Sequence, residues 1–315
     1  MSSINTNISA MTALQSLAKT QAEMETTQKH ISTGYKVGAA EDNAAYWSIA
    51  TTMRSDNSAM STVKDALGLG AATIDVAYTA TNSAIDVTKA IKDKLVAARQ
   101  PGVDRTKIQS EVTQLQNQLK SIGDSAVFSG QNWLSTDSAA TNYNATKSIV
   151  ASFTRSAAGA VSIGTISVDT TNTKLYDTNA TATQAGIVDG KRDAATGALS
   201  AAGTFTVATL DVSTLTDSSA DLTKLEGFIS GVDKSISEMT SSASTLGATK
   251  QRVNMQQTFV GALMDAVDRG ISTLVDADMT HESTKLQALQ VQQQLGVQSL
   301  SIANQQNQSI LSLFR

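Results

Sequence analysis

The chain's 315 residues carry a net charge of −4, no cysteine, one proline and only 4% aromatics. That length suffices for more than one domain, but the aromatic count is too small for one large globular core. The charge balance excludes a basic nucleic-acid surface, the missing thiols exclude disulfides and thiolate metal centres, and no apolar run is long enough to span a bilayer.

The first eighteen residues contain no charged side chain. They have neither the basic n-region nor the apolar h-region of a cleaved signal peptide, so export is expected to leave the N-terminus uncleaved. Leu14, Leu17, Gln21, Met24, Gln28 and Ile31 step by three and four, which predicts a heptad-like helical stripe ending at Thr33-Gly34. Asp42 is placed to cap the next helix. From Ala44 to Arg99, Met53, Met60, Leu67, Ile74, Thr81, Thr88 and Leu95 recur every seventh residue. Ile49, Val63, Ala77, Ala84 and Ile91 are assigned to the intervening seam. A heptad sustained this far reads as a coiled-coil or bundle helix. Pro101-Gly102 turns the chain, Asp104 caps a third helix with Ile108, Val112, Leu115, Leu119 and Ile122 on one face, and Gly123 ends it.

Composition shifts to Thr, Ser, Ala and Gly between residues 135 and 219. Alternation at Ile149, Ala151 and Phe153, at Val161 and Ile163, and at Phe205 and Val207 predicts short antiparallel strands. The segment 170–202 is too polar to assign. Helical stepping returns at Asp221 and runs from Leu222 through Val232, Met239, Leu246, Val253 and Val260 to Leu274, interrupted by Lys250 and Gln257. An acidic turn, 276–282, leads to a final stretch, 286–314, without one charged residue. Its apolar positions Leu286, Leu289, Leu300, Ala303, Ile310 and Phe314, widened by Val291, Leu295, Val297 and Ile302, predict a helix of roughly 45 Å. Amides and hydroxyls in place of charges suit a helix packed among copies of itself, where repeated like charges would repel.

No catalytic, cofactor or metal site emerges from the residues. His281-Glu282 opens like a metalloprotease helix, but no second histidine follows at the required spacing. Asp276, Asp278, His281 and Glu282 read as a charged turn beside a helix N-terminus. The glycines around Gly186–Arg192 are too closely spaced for a phosphate loop, and Arg192 stands where a Ser or Thr would hold Mg²⁺.

At both ends the chain resembles the bacterial flagellins. The resemblance rests on Ser3–Ile8; Ile31-Ser32-Thr33-Gly34; Asp42-Asn43-Ala44-Ala45 with Ser48-Ile49-Ala50; and Phe128-Ser129-Gly130. It continues through Leu246-Gly247-Ala248 with Gln251-Arg252; Asp276-Ala277-Asp278-Met279; and Ser299 to Gln305. Tyr46-Trp47, where commoner flagellins have a glycine and an aliphatic residue, is similar to flagellins of rhizobial soil bacteria, some of which build ridged complex filaments.

The resemblance implies a mostly α fold with a β-rich inserted domain. Residues 1–40 and 280–315 would form a terminal coiled coil lining an inner tube. Residues 41–134 and 221–279 would form a helical second layer, and 135–220 a variable surface domain. It implies a structural subunit that polymerises into the flagellar filament, with a hook–filament junction protein, or a secreted adhesin or enzyme on helical stalks, as the alternatives. Expected partners are further copies of the chain, sister flagellins, the filament cap, hook-junction proteins and an export chaperone, with no nucleic acid, no membrane insertion and no cofactor. Combined with the uncharged stripes, it assigns the assembly interface to Ile4, Ile8, Leu14, Leu17, Met24 and Ile31 at one end and to Leu289, Leu295, Leu300, Ile302, Ile310 and Phe314 at the other. The two uncharged ends are expected to order on assembly, when burial of apolar faces offsets the lost chain entropy.

Overall fold

The computed structural model describes residues 6–179 and 185–312, with side chains in the last helix described to residue 305. Five helices dominate: α1 (Ile8–Thr33), α2 (Ala44–Ala98), α3 (Arg105–Ser125), α4 (Ser219–Val275) and α5 (Met279–Ser312). Between α3 and α4 lie six short strands, β1 (Val127–Phe128), β2 (Gln131–Asn132), β3 (Ser135–Thr136), β4 (Thr146–Arg155), β5 (Val161–Asp169) and β6 (Tyr176–Asp177). Contacts divide the chain into two units, one of residues 1–58 with 264–315 and one of residues 59–263.

In the unit 59–263, α2 and α4 run antiparallel. Leu67, Ile74, Leu95, Leu225, Val232, Met239 and Val253 are all fully buried, as the heptads require. Thr81 and Thr88 occupy the same stripe, and their hydroxyls donate to the carbonyls of Ala77 (2.8 Å) and Ala84 (2.7 Å) one turn back. That internal bond is what lets a polar side chain sit in the seam. Lys92 with Asp233 (2.5 Å), Arg99 with Glu226 (2.9 Å), and Lys250 with Asp75 flank the seam. The interruption at Lys250 is thus a cross-helix ion pair. Such half-exposed pairs fix register more than they add stability. Asp104 caps α3 as expected, accepting from the amides of Thr106 and Lys107. Gly123 does not end α3, which continues to Ser125. Its bare Cα instead lets the Tyr176 ring lie where a side chain would project, 2.8 Å from a would-be Cβ.

The middle segment is less regular than its alternation suggests. β4 and β5 form the expected antiparallel hairpin, with a register shift between Val150 and Ser152. Ile149 of β4 rests on Gly70 of α2, and the Gln256 side chain of α4 donates to the Ala151 carbonyl (3.0 Å). β3 and β6 pair in parallel, which was not anticipated. Phe205 and Val207 are buried but belong to no strand. Phe205 makes an isolated bridge to Arg192 and packs its ring 4.7 Å from that of Phe228. Turns, held by Asp and Thr side chains on neighbouring amides, take the place of a sheet there.

Arg192 organises this turn layer. It is completely buried, and its guanidinium donates to Glu238 of α4 (2.5 Å) and to the carbonyls of Ile187 (2.9 Å) and Gly197 (3.1 Å). Gly227 and Gly231 clear the α4 surface for it: a Cβ at Gly231 would lie 2.5 Å from the Phe205 ring. The polar segment 170–202 also contains a buried Lys174–Asp177 ion pair.

In the other unit, Val37, Ala50, Ile271 and Val275 form a small core, joined by Met53, Val267 and Leu274. Ile49, assigned to the seam, is 49% exposed, and Ala50 points inward instead. The first turns of α2 pack against the loop at Val37 and the last turn of α4, so the inward direction shifts by one residue. Lys36 and Val37 donate their amides to the Val275 carbonyl, and Ala277 donates to Gly34. Asp42 does not cap α2. It accepts from the amides of Gly38 and Ala39 (2.9 Å each), while Asn43 accepts from Tyr46 and supplies the cap. Those two amide bonds hold the Asp42 carboxyl below the ordinary carboxylate range.

Candidate assembly interface

The terminal helices α1 and α5, uncharged over residues 8–18 of the first and 286–312 of the second, form an antiparallel helical hairpin. Asn7 starts it twice over: its side-chain oxygen caps α1 by accepting from Ala10 (2.9 Å), and its amide donates to the Ala303 carbonyl of α5 (3.0 Å). At the other end His30 Nδ1 lies 3.3 Å from Glu282 Oε1, with both side chains largely buried. Between them Leu17 packs on Gly296, its Cδ1 3.0 Å from where a Cβ would stand. Gly34 closes α1 in the left-handed conformation (φ 76°), its amide donating to the His30 carbonyl. Asp278 opens α5 by accepting from Thr280 and His281. The acidic turn is therefore used structurally, residue by residue: Asp278 caps, Glu282 meets His30, and Asp276 accepts from Ser272 (2.5 Å).

Each helix has one continuous inward stripe. On α1 it is Ala10, Ala13, Leu17, Thr20, Met24, Thr27 and Ile31; on α5 it is Glu282, Leu286, Leu289, Gln293, Gly296, Leu300 and Ala303. Both alternate steps of three and four without a break, the spacing of an antiparallel coiled coil. Carrying the Leu17–Gly296 register along puts Met24 level with Leu289 and Ala13 level with Leu300. In the single chain, the ends expected to order only on assembly are thus already paired, because each supplies the other's apolar stripe.

The twelve expected interface residues therefore fall into distinct places. Leu17, Met24, Ile31, Leu289 and Leu300 lie on the seam, and Leu289 is only 4% exposed. They hold the hairpin together and are turned toward its own partner helix. Ile8 (64%), Leu14 (59%), Leu295 (60%) and Ile302 (59%) face outward. Ile4, Phe314 and the side chain of Ile310 lie outside the described residues. The α1 stripe also differs by one position from expectation: Gln21 and Gln28 are exposed, while Thr20 and Thr27 take the inward places. Thr20 is tolerated because its hydroxyl donates to the Ser16 carbonyl (3.0 Å).

Three further residues complete the outward apolar surface. Met11, Val291 and Val297 are 63%, 56% and 54% exposed. Met11 was missed from the sequence, although it stands three residues after Ile8 in a stretch without charge. Val291, Leu295 and Ile302 form a second stripe on α5, and Ile8, Met11 and Leu14 cluster on the first turns of α1. These α1 residues line a groove of about 970 Å³ together with Leu300 and Asn304. These large side chains lie before Lys19 on α1 and after Lys285 on α5, and they leave apolar surface open on both helices.

Both ends of the chain are similar to known proteins. Residues 4–139 match the bacterial flagellin N-terminal helical region, and residues 229–314 match the bacterial flagellin C-terminal helical region. The chain is 51% identical to Flagellin C of Rhizobium meliloti (strain 1021) over 324 aligned residues, with all of both chains covered. It is 43% identical to Flagellin B of Rhizobium meliloti and 42% identical to a flagellin of Brucella melitensis biotype 1, again over the full length of each. The chain belongs to the bacterial flagellin family, the structural subunits that polymerise into the flagellar filament.

Proposed function

We propose that this flagellin assembles through the outward face of its terminal hairpin. Ile8, Met11 and Leu14 of α1, with Val291, Leu295, Val297 and Ile302 of α5, are the residues that meet neighbouring copies. The seam residues Leu17, Met24, Ile31, Leu289 and Leu300 act indirectly, by holding the two helices in register. The observation that carries this assignment is the pairing of large exposed apolar side chains with a complete absence of charge on both terminal stretches. Many copies can stack along one axis without like-charge repulsion, and each contact gains about 25 cal/mol per Å² of apolar surface covered.

In this proposal the inner layer comprises residues 1–40 and 280–315, the helical second layer 41–134 and 221–279, and the surface domain 135–220. The chain is held by an export chaperone at its C-terminal region, and meets hook-junction and cap proteins and sister flagellins at the filament. The two family matches at both ends favour the filament subunit over a junction protein or an enzyme on stalks. Removing residues 297–315 tests the assignment: the truncated chain should remain a soluble, helical monomer and form no filaments by electron microscopy. Filaments from the truncated chain would refute it.

A further inference from the structure

We propose that Met11 is a site of reversible sulfoxidation, at which a peroxide stops the free subunit from adding to a filament while finished filaments resist it. This role rests on the contact face proposed above for the terminal hairpin and adds a chemistry to it. The chain has no cysteine, so its nine methionine thioethers are its oxidisable sulfurs. Among the described residues they divide by access. Met60 and Met239 are sealed in the helical interior, and Met24, Met53 and Met264 are half-buried. Met11, Met255 and Met279 are open to solvent. Of these three, Met11 alone stands in the contact face, between Ile8 and Leu14.

The Met11 amide donates to the Asn7 carbonyl (3.0 Å), so the residue is carried on the capped first turn of α1. Neither α1 nor α5 contains an aromatic residue, so no ring of the hairpin covers the sulfur. Oxidation is an oxygen transfer. The Sδ lone pair attacks one oxygen of the peroxide, an S–O bond forms and the O–O bond breaks. Sulfur gives up two electrons to the peroxide. The proton on the attacked oxygen passes to the leaving oxygen, so hydrogen peroxide departs as water. A methionine sulfoxide reductase reverses the step with a dithiol, which is oxidised to a disulfide as the oxygen leaves in water.

The product changes what the face can bury. An apolar thioether becomes a strong hydrogen-bond acceptor with no proton to donate. Water solvates that oxygen in the free subunit. Covering it in a contact built from Ile8, Leu14 and the outer stripe of α5 strips the water away and leaves the acceptor short of partners. Gln15 and Asn304 border the same groove, and their amides can return part of the loss. The expected effect is therefore a critical concentration raised roughly tenfold rather than assembly abolished. The timing follows from access: Met11 is 63% exposed in the single chain and covered once a copy has added, so the oxidant acts on subunits and not on the polymer.

The test uses three full-length chains: the parent, Met11→Leu, and a Met255→Leu/Met279→Leu chain in which Met11 is the one open thioether among the described residues. Monomers and finished filaments are treated with hydrogen peroxide. Peptide mass spectrometry reads the sulfoxide at each methionine, and sedimentation gives the critical concentration of each chain relative to its own untreated value. Met11 sulfoxide should form in monomers and be suppressed in filaments. Treated monomers of the parent and of the double variant should show the roughly tenfold rise, reversed by the two epimer-specific sulfoxide reductases with a dithiol, and Met11→Leu should show no rise. Because each chain is its own reference, the comparison holds even where Met11→Leu changes assembly by itself. An equal rise in Met11→Leu, or none in the double variant once Met11 is oxidised, would overturn this inference, and protection of Met11 in the same filaments would leave the hairpin assignment standing. Equal oxidation of Met11 in monomers and filaments would refute that assignment and this inference with it.

Discussion

The division of the terminal hairpin into a seam and an outer face predicts opposite behaviour for two leucines six residues apart on α5. Leu289 is 4% exposed and Leu295 is 60% exposed. Leu289→Ala opens a cavity between α1 and α5 and should loosen the hairpin by about 2–5 kcal/mol. Leu295→Ala removes little from the single chain, where surface changes usually fall within about 0.5 kcal/mol. In the filament the situation reverses. Full burial of a leucine side chain is worth about 1.5–3 kcal/mol. Covering the three-fifths that is open in the monomer therefore contributes about 1–2 kcal/mol per contact. A tenfold change corresponds to about 1.4 kcal/mol, so Leu295→Ala should raise the critical concentration roughly 5- to 20-fold. The assays are hydrogen exchange of α1 and α5 in the monomer and sedimentation of filaments from a dilution series. Equal loss of protection in both variants, or an unchanged critical concentration for Leu295→Ala, would refute the division.

Two further perturbations probe other parts of the chain. Arg192→Met should release the turn layer 185–218 from α4: it removes bonds to two carbonyls and strands Glu238, whose partial access to water limits the loss to about 2–3 kcal/mol. Limited proteolysis of the monomer should then cut within 185–218 roughly 30- to 150-fold faster, with helical content retained; unchanged cleavage would show that Arg192 does not hold the layer. Asp42 concerns acid. Its carboxyl is depressed below 3.8 in the folded chain, so its contribution is complete above that value and is lost as pH falls through the lower folded value. The Gly38 and Ala39 amides should lose exchange protection in that acidic window, and Asp42→Asn should abolish the transition; a pH dependence of protection identical in the parent chain and in Asp42→Asn would contradict it.

Much of the helical architecture was legible because its signal is periodic and long. Seven successive heptads on α2 leave little freedom in where Met60, Leu67, Ile74 and Leu95 point, and all four are buried. The errors come where burial is decided by something other than apolarity. Thr20 and Thr27 on α1, and Gln293 and Gly296 on α5, fill seam positions that a search for hydrophobic residues passes over. Thr20 qualifies by bonding to its own helix and Gly296 by admitting Leu17, whereas the buried Thr27 hydroxyl has no partner among the described residues. The middle segment failed for a related reason. Arg192, Lys174 and Asp177 fall in the segment too polar to assign, yet each is buried against an opposite charge, Lys174 and Asp177 on each other and Arg192 on Glu238. A charge can be placed inside only by the group that answers it, and Glu238 stands 46 residues from Arg192.

The interface list shows the deeper limit. Periodicity identifies which residues are apolar on a helix, but it does not say whether a given stripe is satisfied within the chain or left for a neighbour. Leu17 and Leu14 belong to the same uncharged run, and only the position of α5 separates them. The separation has a physical use. A helix with one stripe is finished once it finds one partner; it cannot also join a fibre. α5 carries two, with Leu289 and Leu300 on the first and Val291, Leu295 and Ile302 on the second. The first stripe converts two weak terminal segments into a preformed hairpin, so that less chain entropy remains to be lost when a subunit adds. The second then gives the contact between copies. Replacing outward charges by Gln, Asn and Ser keeps that second face soluble in the monomer and still able to hydrogen-bond when it is covered, which an all-leucine surface would not do.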